Sequence, residues 1–327
     1  MNHITRIITF FALLVIIGIG ALPAQEKNNW FTDNYSFSLS TGIGLLYGTS
    51  YEIVYKDAYK DDYLSELQWD IKPVYYGVIN FDLGQKNPSE GFGFFGGIEL
   101  EIALPMKTGE MEDRDWKSDV NPPGSLTHFS SHNNHTIAAI SAGLNTGVSL
   151  PVWKFILRFY LNFDYLFFKW EAKDGYTQYG KNNTEYGPYT PWNPDFSKSP
   201  SPGLGISYTQ HWFLLNTGIG AAIPLGRFTL AFDFFIGPSI CVSIDIHHKR
   251  DLKFIDYLYK GISIEPKLTG SFSFNDHFSI SLSASYRYIG ETRGNTETIN
   301  ESSGIIYNTA GASLKIFDGS LSIIYKF

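Results

Sequence analysis

Two short spacings carry the chemistry this sequence offers. Asp245 and His247 stand two residues apart, and so do Asp113 and Asp115. On a strand, a separation of two puts both side chains on one face. A carboxylate beside an imidazole is a general-base arrangement. Histidine titrates near pH ~6.5, and a neighbouring carboxylate raises its basicity and fixes its tautomer. Two close aspartates resist double ionisation and can share a proton. The plainer account of the same residues is a solvated rim, with His247-His248-Lys249-Arg250 as ordinary loop charge, and spacing alone leaves both open. Other candidates offer less. Ser130, Ser131, His132 and His135 are expected in one loop, where a hydroxyl close to a His in sequence is not yet a nucleophile with its base. His128, His132 and His135 are loosely spaced for zinc, which needs a fixed scaffold. Cys241 is the single cysteine. It reads as a small inward-facing residue, and it excludes an intrachain disulfide framework and a Cys-rich metal site.

Strands must position these residues. Of 327 residues 43% are hydrophobic and 17% aromatic, with 26 Phe, 21 Tyr and 31 Gly. That composition excludes disorder and favours strands and tight turns. The net charge of −7 argues against a nucleic-acid partner. Arg6, the apolar run Ile7 to Leu22 and the small residues Ala21 and Ala24 have the layout of a signal peptide cleaved after Ala24, so residues 25–327 are expected as one exported domain. No later stretch is long and apolar enough for a spanning helix.

Alternation then locates the strands. Phe37, Leu39, Thr41, Ile43 and Leu45 interleave with Ser36, Ser38, Ser40, Gly42 and Gly44, and Phe278 to Arg287 repeats the pattern. One face is apolar, while the other is too small and polar for the exterior of a soluble sandwich. This is the inverted pattern of a membrane β-barrel, with apolar residues out to lipid and polar residues in to the lumen. The spacing predicts an all-β, ten-stranded antiparallel transmembrane barrel with strands near 34–55, 64–83, 91–107, 135–150, 155–174, 203–223, 228–247, 257–274, 278–292 and 305–327. Tight turns (151–154, 224–227 and 275–277) mark one end. Long loops at 108–134, 175–202, 248–256 and 293–304 mark the other, which by convention faces the cell exterior. Asp318-Gly319 reads as a bulge in the last strand. Strands of ~20 residues exceed the ~9–11 that cross a bilayer, so the barrel should protrude on the loop side. Inward parity carries Ser50, Glu52, Ser243, Asp245 and His247 to that rim.

With the motifs in this order, the chain resembles the omptin family of ten-stranded outer-membrane proteases. Met111-Glu112-Asp113-Arg114-Asp115-Trp116, with Asn121-Pro122-Pro123-Gly124 after it, is similar to that family's aspartate-pair motif, and Asp245-Ile246-His247 to its Asp-x-His dyad. Tyr51-Glu52-Ile53-Val54-Tyr55, Ser65-Glu66-Leu67-Gln68-Trp69 and Gly294-Asn295-Thr296 add to the likeness, which spans 36–327. The resemblance implies an endopeptidase of the bacterial outer membrane with its site facing outward and with neither metal nor covalent intermediate. His247 would be the base, oriented by Asp245, and Asp113 and Asp115 would hold the attacking water. It further implies cleavage between basic residues, with Glu52, Met111 and Ser65 at matching pocket positions. Ser243 stands where the family's best-known members carry a second carboxylate, which should weaken that preference. The family binds lipopolysaccharide through outward basic residues. Here Tyr165 to Glu171 carries apolar groups in the corresponding strand, which argues against dependence on that lipid. The partners expected are therefore a peptide or protein substrate and membrane lipid, with the chain a monomer that needs no cofactor. The competing possibility is a non-enzymatic barrel, an adhesin or a narrow pore, which would have no use for an inward Asp-x-His opposite an Asp-x-Asp.

Overall fold

The computed structural model describes residues 33–327 except 61, 118–119, 182–187 and 300–303. The segment expected as a signal peptide lies outside the described residues. Two compact units are distinguished: Met1–Tyr35, of which only 33–35 are described, and Ser36–Phe327.

Among the described residues eleven strands form one antiparallel sheet: β1 (Tyr35–Tyr55), β2 (Tyr63–Gln85), β3 (Gly93–Ala103), β4 (Met106–Asp115), β5 (His128–Val152), β6 (Phe155–Tyr179), β7 (Ser199–Leu225), β8 (Phe228–His247), β9 (Leu252–Ser273), β10 (Phe278–Ile299) and β11 (Gly304–Lys326). β1 pairs with both β11 and β2, so the sheet closes on itself. The eleven strands fill ten positions. β3 and β4 lie end to end between β2 and β5, with β2 using Tyr76–Leu83 against β3 and Ser65–Trp69 against β4. The break falls at Leu104-Pro105, where proline cannot donate to a ladder.

Four expectations need correction, the first being the long loop at 293–304, since β10 runs on to Ile299 and β11 begins at Gly304. The stretch 108–134 is mostly strand. β4 runs to Asp115 and β5 begins at His128, so Ser130, Ser131, His132 and His135 sit on a strand rather than in a loop. The connection expected at 248–256 is only the turn 248–251, because β9 already starts at Leu252. Asp318-Gly319 forms no bulge. Both residues keep unbroken register with Leu46 and Leu45 on β1 and with Ser285 and Ala284 on β10. Two complete ladders satisfy the backbone there, and Asp318 turns inward to accept from the Tyr76 hydroxyl.

The expected inversion of apolar and polar faces is present. On β8, Phe232, Ile236 and Ile240 are exposed, while Asp233, Ser239, Cys241, Ser243 and Asp245 are buried. Ile43 and Leu282 on the outer wall are 70% and 64% exposed, which suits lipid and not water. At the tight-turn end the lumen holds ion pairs such as Arg158–Asp233 (2.8 Å) and Arg287–Glu265 (2.7 Å). They border a cavity of about 590 Å³ lined also by Asp82, Glu99 and Lys267. Nearer the long loops, Trp69, Trp170, Tyr208 and Trp212 are fully buried. Trp69 stacks on Tyr208 (5.5 Å between centroids) and on Trp170 (6.1 Å), giving an aromatic floor.

Candidate active site

The cleft at the loop end is built on this floor. Ser50 and Trp212 both donate to Gln210 Oε1 (2.9 Å each), and Gln210 Nε2 donates to the Tyr208 hydroxyl (3.2 Å). Tyr208 pairs directly across β7 and β8 with Asp245, so the floor fixes the height of the first candidate residue. Asp245 is 1% exposed. His247, two residues on and on the same face, puts Nε2 2.6 Å from Asp245 Oδ2. The Phe254 ring meets the imidazole edge-on at 5.8 Å. The other ring nitrogen, Nδ1, is 2.6 Å from Arg250 Nη2. Arginine can only donate, so Nδ1 accepts and Nε2–H points at Asp245.

Asp113 and Asp115 share the inward face of β4, four barrel positions from β8. Asp113 lies in register with Leu67 of β2 and Ser130 of β5, and Asp115 with Ser65 and His128. Ser65 donates to Asp113 Oδ1 (3.3 Å), and Lys117 Nζ is 3.8 Å from Asp115. Burial pushes the Asp113 carboxyl up to about 7, and the Asp115 charge adds to this. The His247 charge, the Ser65 hydrogen bond and the Arg250 charge act the other way. The charges of His247 and Arg250 act on Asp113, so the β4 aspartates and the β8 histidine lie at one end of the barrel.

Glu52, Met111 and Ser243 are buried at the same end of the barrel. Glu52 is 5% exposed and is held well above the usual carboxylate range, first by burial, then by the charges of Asp245, Asp256 and Asp113. Met111 is fully buried. Ser243 is fully buried and donates to Asp256 Oδ2 (2.8 Å). Hydrogen bonds and charge interactions thus link seven of the eight residues singled out in the sequence, Glu52, Ser65, Asp113, Asp115, Ser243, Asp245 and His247, while Met111 is buried on the same face of β4 as the aspartate pair. Beside Ser243 stands a carboxylate that the sequence reading did not single out, the buried Asp256 of β9. Asp256 is missing from the sequence-based candidates because 248–256 reads as a loop. Extending the inward parity of Leu258 by two residues would have found it.

Among the described residues no group of three His, Cys, Asp or Glu side chains is placed to hold a metal ion. His132 is buried, and its Nδ1 meets no hydrogen-bond partner among the described residues.

A model of the omptin family matches residues 33–327. The chain belongs to the omptin family. It is similar to the plasminogen activator of Yersinia pestis, with 23% identity over 304 residues that cover 89% of this chain and 90% of the relative. The outer membrane protease OmpT of Escherichia coli has a similar structure, with a TM-score of 0.77 at 17% identity over 89% of this chain and 97% of that one. The latter likeness shows the shared barrel. Omptins are outer-membrane proteases of Gram-negative bacteria, so the apolar belt of this omptin is its lipid-facing surface and the cleft lies beyond the belt.

Proposed function

We propose that this omptin is an endopeptidase in which His247 activates water for attack on a peptide carbonyl. The observation that carries this reading is the buried Asp245 carboxylate 2.6 Å from the His247 ring, with Asp113 near enough for the His247 charge to act on it. Asp245 binds one ring nitrogen and favours the imidazolium that forms when the other takes a proton from water. Asp113 and Asp115 accept hydrogen bonds from that water and aim its oxygen at the carbonyl carbon. His247 then returns the proton to the leaving amine. The nitrogen left for this work is the one capped by Arg250, which comes from an exposed turn. The guanidinium must swing away before a water can take its place. No covalent intermediate and no metal enter the scheme.

Glu52 lies at the bottom of the cleft, and the surrounding acids favour a cationic side chain before the scissile bond. A peptide library digested by refolded protein tests the proposal, with and without a chelator and with and without lipopolysaccharide. The expected result is endoproteolysis next to Arg or Lys that neither addition alters. Absence of cleavage in every arm would defeat it.

A further inference from the structure

We propose that Asp256 is the second carboxylate of the pocket that receives the cationic side chain, carried on β9 in place of the Ser243 position on β8. This rests on the protease reading above and names the residue that sets its specificity. Ser243 and Asp256 are direct cross-strand partners. Opposed side chains of an antiparallel pair start about 4.5–5.5 Å apart at Cβ, so a carboxylate on either strand serves the same pocket.

The local hydrogen bonding supports the exchange. Ser243 donates to Asp256 Oδ2 at 2.8 Å, and Thr296, its partner on β10, stabilises the charged form from the other side. Asp256 is 5% exposed and sits at about 6, raised by burial and by the Asp245 charge. The groups acting on Glu52 are likewise the carboxylates Asp245, Asp256 and Asp113. Buried acids without a counter-ion are costly.

An independent observation points to a ligand. Glu52 Oε2 and Asp245 Oδ1 are buried with no hydrogen-bond partner outside the acid pair itself, and the one side-chain hydrogen bond acting on Glu52 comes from Asp245, which brings no donor when both are ionised. A guanidinium brings five donors in a planar fork and one positive charge. It would satisfy these acceptors and bind between Glu52 and Asp256. Three mutually close acids with no such guest would simply share protons as a structural cluster, and the two cases differ in what they select.

The test compares two peptides that differ only before the scissile bond, one with arginine and one with citrulline, its neutral isostere. Wild type should prefer arginine. In Asp256→Asn the ratio of kcat/KM values for the two peptides should fall by on the order of 10², the scale of a lost buried charge partner. Asp256→Ser should fall likewise. The exchange variant Ser243→Asp/Asp256→Ser should regain the preference, and it also serves if the single variants do not fold. An unchanged ratio in Asp256→Asn, an exchange variant that folds without regaining preference, or a wild type indifferent to the two peptides would overturn the inference. Should wild type cleave neither peptide, the protease reading fails separately. Calorimetric binding of benzamidine then decides the pocket, with weaker binding in Asp256→Asn in favour and equal binding against.

Discussion

The Asp245–His247 pair is ordered from both sides, and this makes it testable at the level of single groups. The water-holding role proposed for Asp113 needs its ionised form. Its carboxyl sits at about 7, so activity should fall as pH drops through neutrality. Ser65 stabilises the charged carboxylate through its hydrogen bond. Removing that bond raises the Asp113 value, so Ser65→Ala should move the acid limb of the kcat/KM profile to higher pH. A limb that stays put or moves down would contradict the assignment. Arg250 gives a second handle. It occupies the ring nitrogen that the proposed base would use, so in Arg250→Ala kcat for a good peptide substrate should hold or rise. A fall of tenfold or more, roughly 1.4 kcal/mol of barrier, would make Arg250 part of the machinery and not a cap on it.

At the scale of elements, β4 decides whether the aspartate pair faces the dyad. The β4–β5 register shifts between Lys107 and Glu110, and Gly109 there has φ +97°. A Cβ on Gly109 would stand 2.7 Å from Asp70. Gly109→Ala should cost about 1–3 kcal/mol and displace β4. Peptide turnover should therefore drop more than the urea midpoint suggests, while far-UV circular dichroism still reports a barrel. The same strand explains what could and could not be read from the sequence. A period of two holds without interruption along β8, so the faces of Asp233, Ser243, Asp245 and His247 were legible. Leu104-Pro105 and Gly109 punctuate the chain just before Asp113, which made a strand look like a loop. The four-residue turn 248–251 is rich in charge, and this hid the start of β9 and with it Asp256. Asp318-Gly319 misled in the opposite sense: a turn-like dipeptide can stay in register when ladders on both sides satisfy its backbone.

For the whole molecule, the division is between a lipid belt and a cleft above it. Long, outwardly apolar strands are stable only where lipid covers them, as at Ile43 and Leu282. A charge in mid-belt should be costly: Ile43→Arg is expected to lose about 2–4 kcal/mol of stability in lipid vesicles, read from denaturant unfolding, with the cleft chemistry unchanged in the protein that folds. The aromatic floor of Trp69, Trp170, Tyr208 and Trp212 divides the cleft from the charged cavity at the tight-turn end. Such a floor serves a site that faces outward and works against a through-pore.

The central claim is that Asp245 and His247, with Asp113 and Asp115 opposite, activate water. The most direct measurement is kcat/KM on one fluorogenic dibasic peptide for wild type and for the four single alanine variants, each shown to be folded. His247→Ala should lose about 10²–10⁴-fold, the usual contribution of a positioned base, mostly in kcat, and the three aspartate variants should each be strongly impaired. A folded His247→Ala variant that turns over peptide like wild type would contradict the account.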